Sequence, residues 1–262
     1  MKIACVQMDM VLADVERNYA SATALVRKAA ATGADTIVLP ETWTTGFYPK
    51  ENLPALCDRD GVRIQETFGA LAGELGVNIV AGSVANLRGE KIYNTCFVFD
   101  RFGNTVAQYD KTHLFSPMGE DGFFTPGENL VHFELDGRAC SVIICYDVRF
   151  PELTRTLALG TLDCLFIVSQ WPAVRMEHLH TLCRARAIEN QMFVAVCNSC
   201  GTAGETVYGG GSVVFDPWGR CLALAGEKEE TITADCDFSV IEGIRNSINV
   251  FRDRRSGLYD IK

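Results

Sequence analysis

Short apolar runs rich in β-branched residues alternate along this chain with stretches of helical period, and such a chain buries both kinds of surface only by packing helices against sheets. Lys2 to Met8 reads as a strand and Val15 to Ala31 as a helix, with Asp14 as its N-cap and Gly33 as its terminator. Thr36 to Pro40 is a second strand. Helix Val62 to Leu75, closed by Gly76, leads into strand Asn78 to Ser83, and strands Ile92 to Phe99 and Val106 to Asp110 flank a turn at Arg101 to Asn104. The second half offers strands Val131 to Leu135 and Ala139 to Cys145 around a turn at Asp136 and Gly137. Helix Pro151 to Leu159, strand Leu165 to Ser169, helix Arg175 to Asn190, strand Met192 to Ser199, strands Ser212 to Phe215 and Thr231 to Cys236, and a helix after Asp237 complete it.

This alternation predicts a layered α/β fold, and the hairpin-like pairs make its sheet mixed rather than purely parallel. No repeat or linker interrupts the pattern, and 262 residues suit one large hydrophobic core, so residues 1–262 are expected to form a single domain. Glu41 to Asp60, Thr112 to Asn129 and Gly201 to Gly211 read as long irregular stretches. Loops of that length in a compact domain often carry function.

Composition narrows the partners. Twenty-four Lys and Arg against 33 Asp and Glu leave a formal charge of −9, which repels phosphate backbones and anionic lipid; no nucleic acid or membrane partner is expected. No apolar run approaches the roughly 18 residues of a membrane span, and MKIACVQMDM lacks the features of a signal peptide, so a cytoplasmic location is expected. The 11 cysteines are odd in number and sit mostly in apolar runs, which favours buried, reduced thiols over bridges.

Several common sites are absent. Neither GxGxxG nor GxxxxGK[ST] occurs, and Gly209-Gly210-Gly211 precedes a strand rather than a helix. Cys197-x-x-Cys200 has no second such pair and the four histidines include no HExxH, so neither a metal nor a cofactor is expected. No GxSxG elbow is present. What remains is a reactive residue at the end of each of three strands: Glu41 after TIVLP, Lys111 after AQYD and Cys145 closing SVIIC. Carboxyl ends of strands are where α/β sheets bind ligands. A thiolate is a nucleophile that a lysine ammonium favours electrostatically, while a carboxylate takes and returns protons, and together they suit amide cleavage. Singly, each has a structural reading: a loop carboxylate, a surface cation, a buried thiol.

LPETWTTGF around Glu41, YDKTHLF around Lys111 and ICYDVRFPE around Cys145, with GEDGFFTPG, RARAIENQ and FRDRRSGLY, resemble the nitrilase or carbon-nitrogen hydrolase superfamily over nearly the whole chain. The resemblance implies a four-layer α-β-β-α sandwich, a homodimer or higher homo-oligomer joined through a helical face with the tail 251–262 at the interface, and a triad of Glu41, Lys111 and Cys145. It also implies that Glu120 orients Lys111 or the substrate; the alternative is a loop carboxylate beside Asp121. Cys145-Tyr146-Asp147, in place of the Cys-Trp-Glu of nitrilases proper, resembles the amide-hydrolysing branch. QWPAVRMEHLHTLCRARAIENQ is similar to the ω-amidases, which act on 2-oxoglutaramate and 2-oxosuccinamate, departing from them at Gln170 and Leu179.

Such a substrate carries a carboxylate, which makes Arg149 and Arg175 candidate substrate ligands. Arg149 could instead pair with Asp147 or Glu152, and Arg175 could sit at the solvated start of its helix. Trp171, Phe115 and Tyr146 are further candidates for the pocket, Tyr146 by a backbone N–H for the oxyanion and the other two as aromatic walls, with a place in the core as their alternative. The expected chemistry is a cofactor-free amidase working through a thioester on Cys145. Rivals are an N-carbamoyl amidohydrolase, an amidase of deaminated glutathione, and a catalytically silent scaffold of the same fold. The alternating Arg252, Asp253, Arg254 and Arg255 suggest a salt-bridged segment.

Overall fold

The computed structural model describes residues 1–47 and 49–259; the last three positions of the tail lie outside the described residues. The first half of the chain supplies β1 (Lys2–Gln7), β2 (Thr36–Val38), β3 (Asp58–Arg59), β4 (Asn78–Arg88), β5 (Lys91–Phe99) and β6 (Thr105–Asp110). Then come β7 (Phe133–Leu135), β8 (Arg138–Ile144), β9 (Cys164–Ser169) and β10 (Phe193–Asn198), a small hairpin of β11 (Cys200–Ala203) and β12 (Thr206–Gly209), and finally β13 (Val213–Phe215), β14 (Cys221–Leu224) and β15 (Glu230–Asp235). One sheet runs β15-β1-β2-β4-β5-β6 with β3 beside β4, and the other β14-β13-β10-β9-β8-β7. Each has a parallel centre, β1-β2-β4 in the first and β8-β9-β10 in the second, with antiparallel strands outside it except for the two-residue β3, which is parallel to β4.

The side-chain period of a strand sorts the first sheet's residues into two cores. Ile3, Cys5, Val38, Val80, Cys96 and Val98 join the second sheet's Val142, Phe166 and Ala195. Their neighbours Ala4, Val6, Ile37, Leu39, Ile79 and Ala81 pack instead with Tyr19, Ala22, Val26, Phe68 and Leu71 from the helices outside. Helices Pro151–Ala158 and Met176–Asn190 cover the second sheet through Leu153, Leu157, Leu179, Cys183 and Ala187. The order is helix, sheet, sheet, helix. Strands buried on both faces explain why their sequences are apolar throughout rather than alternating.

Local signals set the boundaries. The Asp14 carboxylate accepts the Arg17 N–H at 3.1 Å at the start of helix Val15–Ala30. Asp136 and Gly137, at φ 51° and 75°, form the turn between β7 and β8. Other stretches depart from the sequence reading. The expected helix from Val62 to Leu75 contains a π turn over Gln65–Gly69, an insertion that a hydrophobic pattern does not mark. β4 runs on to Arg88 and pairs with β5 through a hairpin at Gly89. The stretch Glu41 to Asp60 contains a helical turn at Leu53–Leu56 and β3, and the stretch 201–211 contains most of the β11-β12 hairpin, so neither is wholly irregular. β14, which pairs with β13, has no counterpart in the expected strands. In the tail, Phe251 packs against the main core and Arg252 pairs with Asp253 at 2.8 Å.

Gly82 fixes the first functional strand end. Its φ is 63°, and a Cβ there would stand 2.0 Å from the Pro40 carbonyl oxygen, so β4 passes under the end of β2 only with glycine at this point. The next residue seals the crossing: the Ser83 N–H donates to the Pro40 carbonyl at 3.1 Å, and its hydroxyl accepts the Thr42 N–H at 2.9 Å. Glu41 lies between these two bonds.

Candidate active site

Glu41 and Lys111 follow β2 and β6 of the first sheet, and Cys145 follows β8 of the second, so the site forms where strand ends of the two sheets meet. The Glu41 N–H donates to the Ser169 carbonyl at the end of β9, 3.3 Å away, tying the sheets together at that point.

Glu41, Lys111 and Glu120 are buried, with 0%, 1% and 0% exposure. The Lys111 Nζ donates to Glu41 Oε1 at 2.8 Å and to the two oxygens of Glu120 at 3.0 and 2.8 Å. Glu41 Oε2 accepts the Gln170 N–H at 2.9 Å, and Glu120 Oε2 accepts the Phe115 N–H at 2.6 Å. Burial works against the Lys111 charge, but Glu41 and Glu120 outweigh it and hold the ammonium above its ordinary pKa. Glu120 is pushed upward by burial, against the pull of Lys111, with the Glu41 charge adding to the rise.

Cys145 opens a tight turn over Cys145–Arg149 with φ 47°, a left-handed conformation that costs a β-carbon-bearing residue of order 1–3 kcal/mol. The turn swings the thiol off the end of β8. Burial, and after it the charge of Glu41, push the thiol pKa up; Lys111 pulls the other way without prevailing. A thiol so placed needs a proton acceptor before its sulfur can attack.

Lys111 and Cys145 line one cavity with Tyr146, Arg149, Trp171 and Arg175. The space open to the centre of a water-sized sphere is about 20 Å³, room for little more than one water until side chains move. The Arg149 guanidinium lies 4.7 Å from the centre of the Trp171 ring, and that of Arg175 lies 5.3 Å from the centre of Phe115. Among the described residues neither arginine makes an ion pair. The pairing of Arg149 with Asp147 or Glu152 is thus not found; Asp147 is engaged elsewhere. Arg175 precedes helix Met176–Asn190, and its carbonyl accepts the Trp171 indole N–H at 2.8 Å. Of the two departures from the ω-amidase pattern, Gln170 serves Glu41 through its backbone while its side chain meets Thr42 and the Met10 sulfur, and Leu179 faces the core. Among the described residues no group of His, Cys, Asp and Glu is arranged to hold a metal ion.

Three residues that sequence reasoning did not assign to the site support it. Asn94, on the core face of β5, donates to Glu41 at 2.9 Å and to Glu120 at 3.2 Å. Asp147 is buried behind the cysteine turn and accepts the Ile144 N–H at 3.0 Å, the Tyr109 hydroxyl at 2.7 Å, the Thr112 hydroxyl at 3.0 Å and the His113 N–H at 2.9 Å. It joins the turn to the segment just beyond Lys111. Arg186, also buried, donates through Nε and Nη2 to the Val148 carbonyl at 3.1 and 2.7 Å, holding the far end of the turn. The available signals were a polar residue at a core position of a strand and an arginine on a buried helix face.

The sequence profile of the carbon-nitrogen hydrolases matches residues 2–246. The chain is 41% identical over 257 residues to 2-oxoglutaramate amidase of Bacillus subtilis (strain 168), covering 98% of each chain. It is 33% identical to omega-amidase NIT2 of Danio rerio, covering 93% of this chain and 91% of that one. Its structure is similar, at a TM-score of 0.86 and 26% identity over 98% of this chain and 95% of the other, to a mutant of an amidase from Nesterenkonia sp. AN1 that shows covalent addition of the acetamide moiety of fluoroacetamide at its active-site cysteine. The chain belongs to the carbon-nitrogen hydrolase family and has the nitrilase-like sandwich fold. It is a hydrolase of carbon-nitrogen bonds.

Replacing Asp147 tests the support of the turn. Asp147→Ala takes the acceptor from two buried donors, the Ile144 N–H and the Tyr109 hydroxyl, and from the half-buried Thr112 hydroxyl and His113 N–H, and urea unfolding is expected to show a loss of about 3 kcal/mol. Unchanged stability would contradict this account of the turn.

Proposed function

We propose that this protein hydrolyses ω-amides of small dicarboxylic acids, such as 2-oxoglutaramate or 2-oxosuccinamate, to the dicarboxylate and ammonia. One observation carries the reading: a buried ammonium held by two carboxyl groups and a strained cysteine turn meet at a narrow cavity that is also lined by two arginines which, among the described residues, make no ion pair. The names of the Bacillus and Danio relatives support the same substrate class.

In the proposed mechanism Glu41 takes the Cys145 thiol proton as sulfur attacks the amide carbonyl. The oxyanion forms against the Lys111 ammonium and the Tyr146 backbone N–H. Collapse of the tetrahedral adduct breaks the carbon-nitrogen bond, and the proton held by Glu41 passes to nitrogen, so ammonia leaves instead of an amide anion. Water, deprotonated by Glu41, then attacks the thioester and frees the acid and the thiol. Glu120 acts as a positioning residue, gripping Lys111 with both oxygens. Arg149 and Arg175 receive the distal carboxylate, their ring partners Trp171 and Phe115 holding the guanidinium planes in place.

Cys145→Ala is expected to abolish ammonia release, and Lys111→Ala to lower kcat at least about 10²-fold. Esterifying the distal carboxylate of the substrate removes a charge-assisted pair and is expected to lower kcat/KM about ten- to a hundred-fold. Arg175→Ala should erase most of that preference while Cys145 still reacts with iodoacetamide. Equal kcat/KM for acid and ester on the wild-type enzyme would overturn the substrate assignment.

We also propose that two copies pair through the helices over the second sheet, with the described part of the tail at the interface. Leu159, Ile188 and Leu258 are 47%, 47% and 65% exposed in the single chain, and covering such apolar surface favours association. Sedimentation equilibrium is expected to give a dimer mass; a monomer at micromolar concentration would contradict it.

A further inference from the structure

Two buried carboxyl groups stand against one ammonium in this site. Lys111 Nζ reaches Glu41 Oε1 and Glu120 Oε1, and the Asn94 side-chain amide bridges the same two oxygens, at 2.9 and 3.2 Å. An amide nitrogen carries two hydrogens, one for each carboxylate. The reverse orientation of the amide would set its oxygen against two carboxylate oxygens, so the donating orientation is fixed by its neighbours. Asn94 is itself buried, and among the described residues its Oδ1 makes no hydrogen bond, so the side chain is spent on this bridge. Its backbone is engaged as well: the Asn94 carbonyl accepts the Lys111 N–H at 2.9 Å where the ladder between β5 and β6 ends.

We propose that Asn94 is a positioning residue for the reaction, an uncharged clamp that sets the spacing of Glu41 and Glu120 around Lys111 and favours the charged form of the carboxylate pair through its two donated hydrogen bonds. This inference rests on the proposed role of Glu41. Asparagine suits the place for electrostatic reasons. Aspartate would bring a third carboxylate, and a second cation would neutralise the cluster and weaken the base, whereas an amide donates twice and adds no charge. The titratable groups that act on Glu41 are Lys111 from the end of β6, Glu120 from the turn Glu120–Gly122 and Cys145 from the end of β8.

The sign of the effect follows from the donors. Hydrogen bonds to the charged form favour it, so loss of the clamp makes the carboxylate pair take up a proton at higher pH, and activity that needs the free base falls away sooner on acidification. The test uses Asn94→Ala, Asn94→Ser and Asn94→Asp with two readouts against pH: kcat/KM for 2-oxoglutaramate and the rate of Cys145 alkylation by iodoacetamide. In Asn94→Ala the acid limb of both profiles is expected to move up by about one pH unit, with kcat falling about tenfold or more and KM changing little. Asn94→Ser, which keeps one short donor, should move it less, and Asn94→Asp more. A folded Asn94→Ala enzyme whose acid limbs stay in place overturns the inference, and if that variant does not fold, the same criterion applies to Asn94→Ser. The two claims separate cleanly: absent turnover of 2-oxoglutaramate by the wild type with a shifted alkylation limb removes the substrate assignment and leaves Asn94 its role, whereas normal turnover with unmoved limbs removes the role alone.

Discussion

Taking an ammonium out of water costs several kcal/mol unless the new surroundings replace what water supplied, and at Lys111 that replacement comes from two carboxylates delivered by separate parts of the chain. Glu41 arrives from the end of β2, over the crossing that Gly82 permits. Glu120 arrives from a short helical turn nine residues beyond Lys111. Removing either partner would strand a buried charge, so the loops that carry them are held to the sheet by the electrostatics of the site itself. That interdependence explains why a long segment such as Thr112 to Asn129 stays in place with little regular structure of its own.

The second sheet contributes a different kind of order. Its strand β8 ends in a backbone turn that a non-glycine residue adopts only under constraint, and the constraint is visible in Asp147 and Arg186, which hold the start and the end of the turn by hydrogen bonds to the backbone. Asp147 also binds Tyr109, Thr112 and His113, so the Cys145 turn and the segment beyond Lys111 are fixed to one another from behind. Chemistry split between two sheets thus keeps a defined geometry. Burial raises the pKa of the Cys145 thiol, and the Glu41 charge adds to the rise.

Much of this was legible in the sequence because the features concerned are local or periodic. Fully apolar runs such as SVIIC announced strands buried on both faces, and the caps at Asp14 and Gly76 marked real helix ends. Glu41, Lys111 and Cys145 stood out because reactive residues directly followed apolar strands. Asn94 and Asp147 did not, since their importance lies in what they touch across the fold: Asn94 is one polar residue within a strand, and Asp147 meets Tyr109 from 38 positions away. The π turn at Gln65–Gly69 and the hairpin within 201–211 escaped for another reason, that neither disturbs a hydrophobic pattern in a way a single sequence displays. Arg149 shows the limit from the other side, because proximity in sequence to Asp147 suggested an ion pair that the hydrogen-bond network of Asp147 leaves no place for.

The claim on which everything else turns is that Cys145 carries the acyl group during turnover. Rapid acid quenching of the enzyme with 2-oxoglutaramate, followed by peptide mass spectrometry, measures this directly. The account predicts an adduct on the Cys145 peptide equal to the substrate less ammonia, discharged by hydroxylamine and absent from the Cys145→Ala protein. Steady release of ammonia with no such adduct, or with the adduct on another residue, would contradict it.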